Sequence, residues 1–413
     1  MPPQKTNLQE CFAQWVAEAR QNSKEDFIVQ MIQRVFQEAA LRRASDIHIQ
    51  PGRLGIDIRF RLSGVLQQVG VLPIASAAQI AARIKVLANL TTYKTSDPQE
   101  GRIRRNTIPN VKQDIRISTT PTLYGERIVG RFFSEGTSYL LPIELGFPQQ
   151  ILEELSVAIQ KTSGAIITAG PTGNGKTTTA CSLLRAIINM EKVSHSVRSI
   201  ITIEDPIEHA IDGVSQIEVA RDGEMTLDRL IRYLMRQDPD VIMVGEIRDK
   251  PTAEAAFQAA LTGHLLITTF HASSAASAIC RLLELGIEPF TLRSSVSNIL
   301  CQRLARRLCP CARAVNSQHD IEILGDKYHL QRWFEPVGCP KCNGTGFLDR
   351  FMIAESIPLT NEEVANAILE RRSAEYIQSI GRKHGMITMG DYAAQYIMEG
   401  KTSPQEVLRS IGS

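Results

Sequence analysis

The apolar run Ala165–Ala169 leads directly into Gly170-Pro171-Thr172-Gly173-Asn174-Gly175-Lys176-Thr177, and helical periodicity runs on from there to about residue 189. A buried strand, a glycine-rich turn and a helix in immediate succession constrain this part of the chain to a parallel sheet with helical crossovers. Gly170, Gly173 and Gly175 let backbone N–H groups face inward and cradle phosphate oxygens where the helix dipole favours anions. Lys176 is placed to reach β- and γ-phosphates, and the Thr177 hydroxyl to meet Mg²⁺. Pro171, Thr172, Asn174 and Thr178 complete the expected ATP-binding set.

Three further apolar runs, Ser199–Ile203, Val241–Val244 and Leu265–Thr269, alternate with helical stretches at about 176–189, 226–236 and 252–262. This is the pattern of an α/β domain with an open parallel sheet, in which ligands sit at the carboxyl ends of the strands. At those ends stand Glu204-Asp205, Glu246 and His271. Glu246, closing Asp240-Val-Ile-Met-Val-Gly-Glu246, suits polarisation of an attacking water or a water-bridged hold on Mg²⁺. His271 is open to two readings: a γ-phosphate contact or a hydrogen-bonded structural group. An acid at a strand end also serves commonly as a helix cap or a solvated rim group.

The chain has 413 residues, enough for two or three domains. Helical spacing over 25–42 is followed by period-two alternation through Ile47, Ile49, Ile56, Ile58, Phe60 and Leu62, then a helix over about 76–90 and strands Asp114–Thr119 and Arg127–Phe133. The expected division is an extension (1–24), an α+β domain (25–135), a linker (136–148), a RecA-like P-loop domain (149–305), a cysteine module (306–348) and a helical region (349–413), the last with helices at 361–370, 373–383 and 390–399. Lys plus Arg number 46 against 44 Asp plus Glu, which argues against a dedicated nucleic-acid binder. Arg303, Arg306 and Arg307, beside Leu304 and Leu308, read as a solvated or interface face of a helix, and Arg102, Arg104 and Arg105 as a similar surface group. No stretch approaches the roughly 20 apolar residues of a membrane span, and the N-terminus lacks a signal-peptide core, so the sequence predicts a cytoplasmic protein.

Cys309, Cys311, Cys339 and Cys342 form two close pairs, a ligand set for structural Zn²⁺ in a reducing compartment, with plain thiols as the alternative.

Taken in order, the phosphate loop, Ile203-Glu-Asp-Pro-Ile-Glu-His209, Val244-Gly-Glu-Ile-Arg-Asp249 and Gly263-His264 to His271 resemble the four boxes of GspE- and PilB-type secretion and pilus-assembly ATPases. Ser45-Asp-Ile-His-Ile49 and Arg59-Phe-Arg-Leu-Ser-Gly-Val65 extend the resemblance to nearly everything after about residue 25. The resemblance implies a PAS-like first domain whose Arg116 and Arg131 close over the ATP phosphates, with Glu204, Glu246, Lys176 and His271 catalytic. A solvated strand face is the alternative for the two arginines. It also implies a tetracysteine zinc module, although the first pair here encloses one residue where the family usually has two. A homo-hexamer is implied, driving an inner-membrane platform protein of the GspF/PilC type, with indirect membrane contact, a cytoplasmic recruitment partner and no nucleic acid. Retraction motors and type IV secretion ATPases of the same superfamily are the neighbouring possibility, and the four cysteines weigh against them. A nucleic-acid translocase and a non-hydrolysing nucleotide-gated protein are the more distant ones.

Overall fold

The computed structural model describes residues 8–19, 24–133, 140–194, 197–219, 225–342, 344–359 and 361–412. Part of the predicted linker, 136–139, lies outside them. The chain divides into two compact units, Met1–Gly136 with Gly338–Gly346, and Thr137–Val337 with Phe347–Ser413.

The first unit begins with α1 (Leu8–Ala19) and α2 (Lys24–Leu41), followed by β1 (Asp46–Gly52), β2 (Gly55–Leu62), β3 (Val65–Leu72), α3 (Ala77–Leu87), β4 (Gln99–Ile103), β5 (Ile115–Thr122) and β6 (Gly125–Phe132). The strands form one sheet in the order β3-β2-β1-β6-β5-β4, every pair antiparallel. The alternation legible in the sequence is the reason: Ile47, Ile49, Ile56, Ile58 and Phe60 are all buried while His48, Asp57 and Arg59 between them are half-buried. Met31, Val35, Phe36 and Ala39 of α2 and Ile80 and Ile84 of α3 close the same core. Helix α1, within the stretch expected to be a mere extension, adds Phe12 and Trp15 to it. Gly70 makes that possible, since a Cβ there would lie 2.1 Å from the Phe12 ring.

The second unit runs α4 (Gln149–Gln160), β7 (Gly164–Ala169), α5 (Lys176–Ser194), β8 (Ile200–Glu204), β9 (Ser215–Glu218), α6 (Leu227–Leu234), β10 (Val241–Val244), α7 (Lys250–Leu261), β11 (Leu265–Phe270), α8 (Ala275–Glu284), α9 (Pro289–Ser295) and β12 (Val296–Leu308). Short strands β13 (Arg313–Val315), β14 (His319–Ile323), β15 (Asp326–Leu330) and β16 (Trp333–Glu335) precede β17 (Phe347–Pro358). Helices α10 (Glu362–Leu369), α11 (Ala374–Lys383), α12 (Met389–Met398) and α13 (Pro404–Ile411) finish the chain.

The large sheet has the order β17-β12-β7-β11-β10-β8-β9, parallel except where β17 joins β12. Strands β7, β10 and β11 are buried along nearly their whole length, as continuous apolar runs covered on both faces must be. The parallel register places the ends of β7, β8, β10 and β11 along one edge, where the phosphate loop and the strand-end acids emerge.

One expectation is overturned. Arg303, Arg306 and Arg307 lie on strand β12, not on a helix. Leu304 and Leu308, four residues apart, fit a helical spacing, but pairing with β7 on one side and β17 on the other decides the conformation. Arg303 is buried, and Arg306 meets the buried Glu406 of α13 at 2.6 Å.

Candidate active site

The phosphate loop leaves β7 at Ala169 and enters α5 at Lys176. Gly173 and Gly175 hold φ of +78° and +77°, a left-handed backbone that side chains with a Cβ resist. Gly170 is required for a second reason: a Cβ there would lie 2.6 Å from the Gln302 carbonyl oxygen. The loop is braced from β12, where the Leu304 N–H donates to Asn174 Oδ1 at 2.8 Å and Gln302 Nε2 donates to the Asn174 carbonyl at 2.6 Å.

Lys176 is buried and folds back, its ammonium donating to the Gly170 carbonyl at 2.9 Å and the Pro171 carbonyl at 3.3 Å. Burial pulls its pKa below the usual lysine value, against the Glu246 carboxylate, which favours the charged form. His271 stands 3.5 Å away through Nδ1, while its Nε2 lies 2.5 Å from Glu246 Oε1. An ammonium can only donate, so Nδ1 accepts, and Nε2–H then donates to the carboxylate: the neutral tautomer satisfies both partners. Burial and the Lys176 charge depress the His271 pKa, consistent with that neutral form. Lys176, His271 and Glu246 thus form one network, reached from three neighbouring strand ends.

Glu246 is held from both sides. Gly245 N–H donates to the Ile203 carbonyl, Ile247 N–H to the Thr269 carbonyl, and Thr269 Oγ1 to the Gly245 carbonyl at 2.7 Å. Its second oxygen takes Arg248 Nε at 2.6 Å. Asp249 has a different task, capping α7 by accepting from Thr252 N–H at 2.8 Å. Glu204 is buried at the end of β8, where its Oε1 accepts from Thr202 Oγ1 at 2.8 Å and Gln216 Nε2 at 2.9 Å. Its Oε2 has no hydrogen-bond partner among the described residues. A buried carboxylate oxygen without a donor is costly unless a ligand or water completes it.

Arg116 and Arg131 belong to the first unit. They face each other across β5 and β6, and the same row continues to Arg102 on β4, Asp46 on β1 and Arg61 on β2. Arg116 pairs with Glu100 at 2.8 Å and Arg131 with Asp46 at 2.8 Å. From the sequence alone Arg102 reads as surface charge; the strand register brings it into line with the other two. Only cross-strand pairing could have shown this, since Arg102, Arg116 and Arg131 are far apart in the chain.

The thiol sulfurs of Cys309, Cys311, Cys339 and Cys342 lie within 4.8 Å of one another. Tetrahedral Zn–S bonds of about 2.3 Å put sulfurs about 3.8 Å apart, so the set needs only slight contraction around an ion. Backbone N–H groups of Cys339 and Gly346 donate to Cys342 Sγ at 3.1 and 3.2 Å and fix its position in the cluster. The single residue between Cys309 and Cys311 does not keep either thiol out of the cluster.

A glycine loop at a helix start, a basic group folded onto it and carboxylates at the adjoining strand ends define a P-loop nucleotide-hydrolysing core. The family model for type II/IV secretion system proteins matches residues 21–409. The chain belongs to this family. It is 37% identical over 383 residues to the type IV pilus assembly ATPase PilB of Thermus thermophilus, covering 91% of this chain and 42% of that protein. It is 37% identical to the type II secretion system protein HxcR of Pseudomonas aeruginosa, over 92% of this chain and 77% of that one. With the type II secretion system protein E of Aeromonas hydrophila it shares 39% identity, over 92% and 75%. The chain thus spans less than half of the first protein's length and about three quarters of the other two. Among solved structures, the Legionella pneumophila ATPase DotB superposes with a TM-score of 0.65 at 22% identity, covering 91% of this chain and 94% of that one. The pilus retraction motor PilT superposes with a TM-score of 0.58 at 22% identity, covering 92% and 96%. These two establish the likeness of fold. No helix among the described residues is long and apolar enough to cross a membrane.

Proposed function

We propose that the protein is a hexameric ATP-hydrolysing motor that powers assembly of a type II secretion pseudopilus or a type IV pilus by acting on an inner-membrane platform protein of the GspF/PilC type. The Lys176–His271–Glu246 network at the mouth of the phosphate loop is the observation that carries the reading. In this scheme the loop N–H groups and Lys176 bind the β- and γ-phosphates, with Lys176 exchanging the Gly170 and Pro171 carbonyls for phosphate oxygens. Glu246, released from His271 or Arg248, orients the attacking water and accepts its proton. His271 then has a ring nitrogen to offer the γ-phosphate, and Glu204 Oε2 is available to hold a water. Thr177 and the carboxylates would hold Mg²⁺, which supplies charge neutralisation on the transferring group.

Arg116 and Arg131, with Arg102 in the same row, carry the fixed donor forks that a phosphoryl group requires, and we assign them to the nucleotide in the assembled ring. The four cysteines suit structural Zn²⁺ with no open coordination position. Assembly rather than retraction is favoured by this cysteine set and by the named relatives, which are pilus-assembly and type II secretion proteins. The near balance of 46 basic and 44 acidic residues disfavours a nucleic-acid substrate. The motor would work in the cytoplasm, reaching the inner membrane through partners, a recruitment partner among them. Sedimentation velocity with Mg²⁺ and a non-hydrolysable ATP analogue tests the ring: a six-subunit species is expected, and a persistent monomer over micromolar concentrations would refute it.

A further inference from the structure

Strand β12 continues past the end of β7: Cys301 pairs with Ala169, the last residue of β7, and the following residues run alongside the phosphate loop. Gln302, fully buried, is the first of them. Its carboxamide is engaged at both ends, with Oε1 accepting from Thr179 Oγ1 at 2.9 Å and Nε2 donating to the Asn174 carbonyl at 2.6 Å. Asn174 is gripped a second time, through its own Oδ1, by the Leu304 N–H. Gln302 also bounds the loop sterically. Its carbonyl would meet a Cβ on Gly170 and its Nε2 would lie 3.5 Å from one on Gly175.

The neighbouring side chain serves the other half of the site. Arg303 Nη2 donates to the Ser273 carbonyl at 2.8 Å, and Cys301 Sγ reaches the Ala272 carbonyl at 3.9 Å, so the segment just after His271 also rests on β12. Adjacent residues of one strand therefore hold the phosphate cradle and the His271 loop separately.

We propose that Gln302 is a positioning residue for ATP binding: its carboxamide, seated by Thr179, fixes Asn174 so that the loop N–H groups converge on the phosphates. Preorganised donors bind without a reorganisation cost, whereas a loop released at Asn174 must be ordered by the ligand itself. The residue touches the loop and not the reacting atoms, so its loss falls on affinity rather than on the chemical step. The inference rests on the reading of this loop as the ATP site.

The test is steady-state ATP turnover of the full chain with Mg²⁺, with direct binding of a fluorescent ATP analogue. Gln302→Met keeps the volume and removes both hydrogen bonds, and raises KM and the analogue's Kd roughly tenfold with kcat within about twofold. Asn174→Ala removes the other hold on the loop, the bond from the Leu304 N–H to Oδ1, and also raises KM. Asn298→Ala, which loses the bonds of β12 to Ser356 of β17, controls for general loosening of β12 and leaves KM near wild type. Thr179→Val, which removes only the hydroxyl seating the carboxamide, raises KM several-fold in the same direction and serves if Gln302→Met fails to fold. An unchanged KM in a folded Gln302→Met or Thr179→Val chain, or an equal KM rise from Asn298→Ala, would overturn the proposal. Failure of the wild type to bind the analogue would instead sink the ATP reading itself.

Discussion

His271 lies between an ammonium and a carboxylate, and its neutral ring accepts from Lys176 and donates to Glu246. Protonation would abolish the acceptor and place a second positive charge beside Lys176. Its pKa is depressed below the ordinary value of about 6.5. The unfolded chain therefore binds the proton more readily, and the stability contributed by this neutral ring is complete above about pH 6.5 and is lost as pH falls through the lower folded value. ATP turnover should follow the same direction, declining as pH drops from 7 toward 5, with a shallower acid limb in His271→Gln. An identical pH profile in the variant would remove His271 from the mechanism. Lys176→Ala should abolish binding of a fluorescent ATP analogue while leaving the circular dichroism spectrum intact, because Lys176 carries the one charge in the loop.

Strand β12 and the elements attached to it show where the sequence was opaque. Strands β7, β8, β10 and β11 were legible, because parallel strands covered on both faces become short apolar runs between turn signals. The first half of β12 is also buried on both faces, but it carries Asn298, Gln302 and Arg303 inside, each satisfied by a specific partner. Polar residues at buried positions erase the apolar signal, and their partners lie far away in the chain. The same holds for β17, where buried Glu355 accepts N–H groups from Ala275 and Met389, the first residues of α8 and α12. The phosphate loop, Glu246 and His271 were readable because each adjoins a recognisable strand, whereas the Arg102–Arg116–Arg131 row exists only through sheet register.

Buried Glu406 of α13 illustrates the energetics at this scale. Burial alone would raise its pKa, but hydrogen bonds from Arg409 and Arg306 outweigh it and hold the carboxyl below its usual value. Its contribution to stability is present above about pH 4.3 and is lost as pH falls through the depressed folded value. Glu406→Ala leaves Arg306 without its buried partner and should cost about 3 kcal/mol in urea unfolding. A loss below about 0.5 kcal/mol, typical of a surface change, would show that this bridge does not secure the C-terminal helix.

The whole molecule has two units with separate apolar cores, one built on the sheet with the arginine row and the other on the nucleotide core. The four clustered thiols predict that one equivalent of zinc copurifies with the chain. Its removal by a strong chelator at neutral pH should lower Tm by several degrees, while Cys309→Ser should bind less metal and show little further response to chelation. A chain that contains no zinc and melts identically with chelator would assign the cysteines to packing. All these expectations depend on the core being an enzyme. The most direct measurement is ATP turnover by the purified chain with Mg²⁺, wild type against Glu246→Gln, with binding of a fluorescent ATP analogue measured on both. Steady hydrolysis by the wild type and a fall of at least about a hundredfold in the variant, with analogue binding retained, is the predicted result; equal turnover in the two proteins, or none in a wild type that binds the analogue, would contradict the assignment.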